Sequence, residues 1–509
     1  MSPTPARSSP LHAPTRRSAD RLGRTVAATL ATTMVACVPV VFGPHVTPGT
    51  SGSPAIPWVP PAELRLPAPP PDSLALPAGI TLEQLKGHPL TLPDAVKLAL
   101  EYNPNTHDAW LRAVAQADQL GVARSAWYPT LNAGITGGSQ REPLAAIIPI
   151  ELMTASPTVN LSYLVLDFGA RQARVDEARD ELIAANWTHD AAIQDVVLQV
   201  EQSYYQLLNA NAQLEVQRAS AREERASLDA AVAREQAGLA TVADVLQART
   251  AYTQVLYNIV TVEGQIHTYS GALAVSMGLP PQVPFTVGPL PEQIPLTAVR
   301  TAVDEYLKRG VALRPELGAA RIRINEAQAR ISEMWSSFLP SISFEGSLER
   351  LYYWTPQLGS GLINEYSALL TLNVPIFSGF SSWYGVQQAK VQAADAQAQV
   401  DALQQQVQLQ VWTSYYALVT AEEQMKAARD LLASAKASYD VAAGQYTVGL
   451  GNIINLLTAQ SALVTARGQD VQARSTWFIA LSQLAHDTGA LGLPGDEGPV
   501  AGVPAAAKP

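Results

Sequence analysis

The side chains that could carry out chemistry in this sequence are few and poorly spaced for it. The chain has seven histidines, and none stands at the spacing of a metal-binding motif. Glu345 and Glu349 fall on one face of a predicted strand, where paired carboxylates could act as general acid and base, but we interpret them as lining a wet pore. No nucleophile elbow, P-loop or dinucleotide fingerprint is present. The sequence therefore predicts no enzyme, no catalytic residue, no metal and no cofactor beyond an N-terminal lipid.

The one cysteine stands where a covalent modification is expected. Cys37 ends a short apolar run that follows five arginines in the first 24 residues, an arrangement typical of a secretory signal. Met34-Val35-Ala36-Cys37 resembles a bacterial lipobox, whose cysteine is lipidated and becomes the mature N-terminus. We predict a signal peptide over residues 1–36 and lipidation of Cys37; the alternative is an incidental cysteine inside a discarded signal.

Charge and hydropathy exclude further classes. The net charge is −10, and no cluster of Lys and Arg appears after residue 24, so nucleic acid is not an expected partner. No stretch of the chain approaches the roughly 20 apolar residues that a membrane-spanning helix needs. If the chain crosses a membrane, we expect it to do so with strands.

The sequence contains an internal repeat, in which corresponding landmark residues lie 211 positions apart (340 minus 129). The landmark pairs are Pro129 and Pro340, Tyr204 and Tyr415, and Gly238 and Gly449. Gly169 returns as Gly379, one residue out of step. So long a repeat predicts two halves of similar structure that pack side by side. We divide the chain into a Pro-rich tether (37–90), a first repeat (91–296), a second repeat (297–489) and a flexible C-terminal tail (490–509).

Beyond each proline landmark the hydrophobic period becomes two. The pattern predicts strands at about 130–139, 158–166, 341–351 and 366–375, each of about nine to eleven residues, the length of a tilted strand that crosses a bilayer. Trp127 and Tyr128 precede the first strand and Tyr352, Tyr353 and Trp354 follow the third, as is typical of a membrane interface. A water-soluble sheet with one wet face is the alternative for any single strand.

Four strands are too few to close a barrel. Outer-membrane barrels begin at about eight strands, and open strand edges are not tolerated in lipid. Several copies must therefore share one barrel, with eight strands from two copies or twelve from three. A water-filled lumen favours three copies.

The remaining sequence predicts helices too long for a compact domain. An opening helix in each repeat is expected over Thr91–Ser125 and Thr297–Ser337. A second helix runs from residue 170 to about Ala237 in the first repeat and from Gly379 to about Gln445 in the second, and at about 1.5 Å per residue each would reach on the order of 100 Å. The chain then turns at Gly238 or Gly449 and returns as Val242–Met277 or Ile453–His486. Two antiparallel helical hairpins are predicted.

Several motifs recur in the same order in both repeats. Leu313-Arg314-Pro315-Glu316-Leu317 opens the second repeat, Leu166-Asp167-Phe168-Gly169 and Ile376-Phe377-Ser378-Gly379 leave the strands, and Gly238-Leu239 and Gly449-Leu450-Gly451 mark the hairpin tips. With these motifs the chain resembles the TolC-like outer-membrane efflux proteins over residues 91–489.

The resemblance implies a fold class, a membrane α+β protein with an internal two-fold repeat. Four strands per chain would contribute to a trimeric twelve-stranded outer-membrane β-barrel, continuous with a long periplasmic α-helical barrel of coiled-coil hairpins. The implied partners are two further copies, a periplasmic adaptor protein, an inner-membrane pump of antiporter or ABC type, and the bilayer.

The implied function is that of the exit duct of a tripartite efflux system, in the outer membrane with a large periplasmic portion. The duct would passively conduct small molecules, drugs or metal ions to the exterior. A type I protein-secretion channel is the alternative within the same fold, and a structural periplasmic coiled-coil protein is a remote one.

The resemblance also assigns roles to the hairpin tips. The adaptor-contact residues would be Gly238, Leu239, Thr241, Val448, Gly449 and Leu450. The periplasmic gate would comprise Asp244, Asn452, Asn455 and Thr458. Asn455 and Thr458 match positions of an acidic ring in the family but are uncharged, which puts a strong cation-binding constriction in doubt. Asp244 is a candidate latch of the closed state; the alternative is a charge that favours a helix N-terminus.

Overall fold

The computed structural model describes residues 85, 87–144, 148–292, 294, 302–356 and 359–491, all within one unit that runs from Leu74 to Pro509. The side chains of residues 142–144 and 148–150 are not part of that description. The predicted signal peptide, Cys37 and most of the predicted tether and tail lie outside the described residues. Their assignments stay predictions.

The described residues form eight helices and four strands. The helices are α1 (Leu92–Tyr102), α2 (Pro104–Ser125), α3 (Ala170–Gln236), α4 (Val242–Ser276), α5 (Val303–Leu313), α6 (Pro315–Ser336), α7 (Ser381–Thr447) and α8 (Ile453–Asp487). The strands are β1 (Thr130–Leu144), β2 (Ile148–Leu166), β3 (Ser341–Thr355) and β4 (Gly359–Asn373). No described helix combines the length and the apolar character needed to cross a membrane.

The opening helix of each repeat is broken, where the sequence predicted one continuous helix. Asn103 is extended and caps α2, its Oδ1 accepting a hydrogen bond from the Asn105 N–H at 2.8 Å. Arg314 is extended in the same way before α6. Each is followed by a proline, which lacks the N–H that an uninterrupted helix needs and suits the first turn of a new one. The prediction of single helices was therefore wrong at Pro104 and Pro315.

The end of the predicted tether is packed rather than extended. Leu85 and Leu90 are buried in the cluster beneath α1. The Leu90 N–H donates to Thr286 O at 2.7 Å, and its carbonyl accepts from the Tyr204 hydroxyl at 3.1 Å. The predicted tether therefore extends too far towards its end at residue 90, because Leu85 and Leu90 pack against apolar side chains of the first repeat.

The four strands form one antiparallel sheet in the order β1-β2-β3-β4. They are 15 to 19 residues long, longer than predicted, and β4 begins earlier and ends earlier than expected. Tyr352, Tyr353 and Trp354 consequently lie inside β3, not after it. The apolar alternation marks only the part of a strand that one face buries, whereas backbone pairing continues beyond it to the hairpin loops.

The register separates the sheet into an apolar face and a polar face. Ala133, Val159, Leu348 and Tyr366 pair in one row across all four strands, and the adjacent row consists of Asn132, Asn160, Ser347 and Ser367. In the polar row the hydroxyls of Ser347 and Ser367 lie 2.8 Å apart. Glu349 stands directly opposite Glu365 on the same polar face. Because neighbouring residues of a strand point to opposite faces, the alternating sequence divides the sheet in this way.

The two turns from strand to helix are equivalent in the two repeats, although their glycines, Gly169 and Gly379, are 210 and not 211 positions apart. Phe168 and Gly169 precede α3 with φ of 51° and 101°, and Gly379 and Phe380 precede α7 with φ of 63° and 66°. Each transition thus contains two successive left-handed residues, one Phe and one Gly in opposite orders. The helices that follow start at Ala170 and Ser381, again 211 positions apart. The glycine is displaced by one residue, but the turn is not.

Each long helix is 67 residues, or about 100 Å at 1.5 Å per residue. α3 pairs with α4 in the half that carries the tip and with α2 in the half nearer the sheet; α7 pairs likewise with α8 and α6. The two hairpins contact each other through α3, which packs against α6 and α8. The long helices therefore join the sheet to the tips without interruption.

The shorter helices meet end to end at two equivalent junctions. At the first, Asn103 Nδ2 donates to Ser276 O at 2.8 Å. At the second, the equivalent Arg314 donates to Asp487 at 3.3 Å and to Glu316 at 3.0 and 3.1 Å. The first junction is neutral and the second is a buried cluster of charges.

His486 extends the charged junction to α3. Its ring nitrogens lie 2.9 Å from Asp195 Oδ1 and 3.1 Å from Asp487 Oδ1. Burial alone would lower the pKa of His486, but the hydrogen bonds to the two carboxylates outweigh it and raise the pKa to about 9. The imidazole is therefore charged at neutral pH and balances Asp487.

Candidate functional site: the hairpin tips

The first tip is a tight turn between α3 and α4. Gly238 has φ of 72°, and the Leu239 N–H donates to Arg234 O at 2.8 Å, which closes the helix end in the way that a left-handed glycine allows. Thr241 then caps α4. Its backbone N–H donates to Asp244 Oδ2 at 2.8 Å, and the Asp244 N–H donates to Thr241 Oγ1 at 3.3 Å. This reciprocal capping box fixes the direction of the returning helix.

The second tip repeats the construction with different side chains. Gly449 has φ of 82°, and the Leu450 N–H donates to Gln445 O at 2.9 Å. Asn452 caps α8, its Oδ1 accepting from the Asn455 N–H at 2.8 Å. No carboxylate returns to the cap here, because Asn455 stands where the first tip has Asp244.

The predicted adaptor-contact residues are at the surface of the tips. Leu239 is 78% exposed and Leu450 is 84% exposed, and Val448 is also exposed. Exposed apolar residues that lie together can mark a surface that binds a partner. The structure thus places these residues where a partner could reach them, and their role as adaptor contacts stays a prediction.

The predicted gate residues have local tasks within one chain. Asp244 and Asn452 serve as helix-capping residues. Thr458 lies on α8 beside a groove of about 700 Å³, together with Gln247 and Ile454, and Asn455 is not among the groove residues. The capping geometry agrees with the helix-terminus alternative for Asp244. A latch role remains a prediction, because within the described chain Asp244 bonds only to Thr241.

Arg234 joins the two tips and was missed from the sequence. The side chain leaves the last turn of α3 and donates through Nη2 to Tyr446 O and, at 3.2 Å, to Thr447 O. Its guanidinium also lies 4.1 Å from the centre of the Tyr446 ring. Cations bind favourably at the carboxyl end of a helix, and here the cation comes from the other hairpin. The equivalent position in the second repeat is Gln445, so nothing in the repeat pattern indicated this link.

A small apolar cluster lies behind the link and unites four helices. It consists of Leu228, Ala231, Ala248, Tyr446, Ile453 and Leu456. Its members come from α3, α4, α7 and α8, so both tips share one core. Any motion that separates the hairpins within a chain must expose part of this cluster and break the Arg234 hydrogen bonds.

The part of the chain that the structure describes contains no candidate metal site. Among those residues, no group of three or more His, Cys, Asp or Glu side chains is placed to bind a metal ion. Glu345 and Glu349 lie on the polar face of β3, as the strand pattern predicted.

Comparison with known proteins finds similar sequences and a similar fold among outer-membrane channels. The family model described as outer membrane efflux protein matches residues 95–279 and 307–490, which is most of both repeats. Protein CyaE of Bordetella pertussis is 26% identical over 411 residues, covering 80% of this chain and 86% of CyaE. The toluene efflux pump outer membrane protein TtgF of Pseudomonas putida is 25% identical over 384 residues, covering 75% and 79% of the two chains. The solved outer-membrane channel OprN matches with a TM-score of 0.70 at 16% identity, covering 78% of this chain and 90% of that one.

Proposed function

The chain belongs to the outer membrane efflux protein family, and from that premise we propose that three copies form one exit duct that works with a periplasmic adaptor and an inner-membrane pump. Membership confirms the family expected from the motifs. It also confirms that the chain is a channel of the outer membrane rather than an enzyme.

The observation that carries the proposal is the unfinished sheet. β1 and β4 each have a single strand partner in the described part of the chain. One face of the sheet is mainly apolar, interrupted by Arg350 and Asn364, and suits lipid, whereas the row of Asn and Ser side chains on the other face suits water. A sheet edge cannot remain open within hydrocarbon. Three copies would supply twelve strands, enough to enclose a wet lumen.

The helical hairpins support the second half of the proposal. Helices of about 100 Å place the tips far from the sheet. Exposed apolar residues such as Leu239 and Leu450 lie at the surface of those tips. This arrangement fits a duct whose far end is covered by a second protein. We therefore assign Gly238, Leu239, Thr241, Val448, Gly449 and Leu450 to the adaptor contact.

Small molecules are the cargo that we favour. The relative TtgF is named for toluene efflux, and a passive duct with a polar lining needs no chemistry to pass such a solute. A type I protein-secretion duct uses the same architecture and is the function to test against.

Two experiments separate these possibilities. Purified protein in planar lipid bilayers should give discrete ion-conducting steps, and absence of conductance would contradict a channel. Deletion of the gene in its host should lower tolerance to organic solvents or drugs and leave the set of secreted proteins unchanged. Loss of one secreted protein with unchanged tolerance would instead identify protein secretion as the function.

A further inference from the structure

The two hairpins of one chain meet along the contact between α3 and α8, which we call the hairpin seam. Side-chain hydrogen bonds cross this seam at intervals along its length: Asn209 to Gln472, Gln213 to Gly468, Arg467 to Glu223 and Gln460 to Ser227. The net contribution of such bonds to stability is modest, because water can replace them when the helices part. The polar character of the seam therefore makes a single buried group within it important.

Glu224 is a carboxylic acid buried in the hairpin seam. It is 4% exposed, and its Oε2 atom has no hydrogen-bond partner among the described residues. The adjacent Glu223, in contrast, accepts two hydrogen bonds of 3.0 Å from Arg467. A buried carboxylate without a partner is far less stable than the neutral acid. The closed seam therefore favours a protonated Glu224.

The internal repeat shows that packing at this position does not need a carboxyl group. The residue of α7 equivalent to Glu224 is Ala435, 211 positions later. Ala435 is buried in an apolar cluster with Leu463 and Ala466 of α8. The same position is thus a small apolar residue in one repeat and a titratable one in the other. Packing alone does not explain Glu224.

Hydrogen-bond acceptors near Glu224 suit the neutral acid. Ser220 lies one turn earlier on the same face of α3, and its buried hydroxyl has no partner among the described residues. Gln460 Oε1, on the opposite side of the seam, is buried and unpartnered in the same way. A protonated carboxyl supplies an O–H donor, which a carboxylate lacks.

Few charges face Glu224 from the helices packed around it. Arg467 is the only charged residue of the α8 stretch 460–467, and it is bound to Glu223. The α4 stretch opposite, residues 252–262, has no charged residue. The titratable residues that α4 and α7 place nearby are Tyr252, Tyr257 and Tyr439. Burial, and after it the charge of Glu223, therefore raise the pKa of Glu224 from 4.5 to about 7.

Glu224 lies close to the contacts that hold the two tips together. It precedes Gly238 by 14 residues (238 minus 224), or about 20 Å along the helix. Leu228, one turn nearer the tip, belongs to the apolar cluster that both tips share. A change in the seam at Glu224 therefore acts next to the point where the hairpins would separate.

We infer that Glu224 is a proton-binding switch of the hairpin seam: the neutral acid keeps α3 and α8 closed, and its ionisation favours their separation and an open duct. The inference rests on the proposed function, because it needs a channel with open and closed states. In the closed seam the carboxyl keeps its proton up to about pH 7, whereas in water it loses its proton near pH 4.5. A rising pH between these values therefore favours the open form.

Single-channel recording in planar bilayers tests the switch. Between pH 5.5 and pH 8 the ratio of open to closed time should rise about 25-fold, from the two pKa values of the closed and open forms. Glu224→Gln should keep a low ratio throughout, and Glu215→Gln, an exposed change on the same helix, should behave as the wild type. Histidines titrate in the same range, so an equal rise in Glu224→Gln would overturn the inference. Absence of conductance in all three proteins would instead contradict the proposed channel.

Hydrogen exchange tests the seam without reference to conductance. Amides of residues 217–231 in the purified native channel, corrected for the chemical effect of pH on exchange, should exchange faster at pH 8 than at pH 5.5. Glu224→Ala, which has the residue found at the equivalent position 435, should show no difference and also serves if Glu224→Gln fails to assemble. Equal protection of the wild type at both pH values, or the same acceleration in Glu224→Ala, would show that Glu224 does not control the seam.

Discussion

Replacement of Arg314 by methionine should cost much more stability than any change at the equivalent first junction. Arg314 is 6% exposed in its side chain, as is its partner Asp487, and it also donates to Gln410 at 3.0 Å. Removing one member of a buried ion pair typically costs about 3 to 5 kcal/mol, because the other charge is left unpaired. His486 still faces Asp487 in the variant, so we expect a loss near the lower limit, about 3 kcal/mol.

The matched control is Asn103→Ala. That change removes the hydrogen bond to Ser276 and the cap of α2, for which we expect a loss of about 1 to 2 kcal/mol. Both variants are compared by urea unfolding of the purified channel, followed through helicity. Arg314→Met with Asp487→Asn should lose less stability than the sum of the two single changes, because the two side chains interact directly. If Arg314→Met lowers the free energy of unfolding no more than Asn103→Ala does, the buried ion pairs do not stabilise the second junction as we propose.

Four further predictions concern titration and the tips. The pKa of His486 is raised to about 9, so its charged ring stabilises the folded state fully below the unfolded pKa near 6.5, and this stabilisation is lost as the pH rises towards 9. The free energy of unfolding, measured from pH 6 to 9.5, should fall by at most about 3 kcal/mol for this reason. The fall should be absent in His486→Gln. Arg234→Ala should raise the open probability of the channel in planar bilayers, because it frees α7 from α3. Arg225→Ala, an exposed change on the same helix, should leave the open probability unchanged. Equal open probabilities for the two variants would show that the Arg234 hydrogen bonds do not hold the channel closed. Gly449→Phe should abolish efflux and leave the trimer intact, and loss of the trimer would reveal a purely structural role. Asp244→Ala should enlarge single-channel conductance if Asp244 latches the closed state, and unchanged conductance leaves it a helix cap worth about 1 kcal/mol.

The sequence predicted well the elements that depend on local patterns, such as the long helices and the hairpin tips. α3 was expected from residue 170 to about Ala237 and ends at Gln236, because no proline or glycine interrupts it and Gly238 provides the left-handed turn. The tips were located for the same reason. The four strands were predicted in the right places but too short, and the fourth was also extended two residues beyond its end at Asn373.

The features that the sequence did not reveal depend on residues far apart in the chain. His486 meets Asp195 across 291 positions, and Arg234 meets Tyr446 across 212. Neither contact has a counterpart at the repeat offset, so the internal symmetry gave no indication of it. The breaks at Asn103 and Arg314 were overlooked because a proline suits the first turn of a helix as well as it ends one.

The mass of the native particle tests the central claim most directly. Mass spectrometry of the channel released intact from a mild detergent should give a particle of three copies, because only further copies can pair the free edges of β1 and β4 within a bilayer. A particle that contains a single chain, with its sheet still folded, would contradict the account.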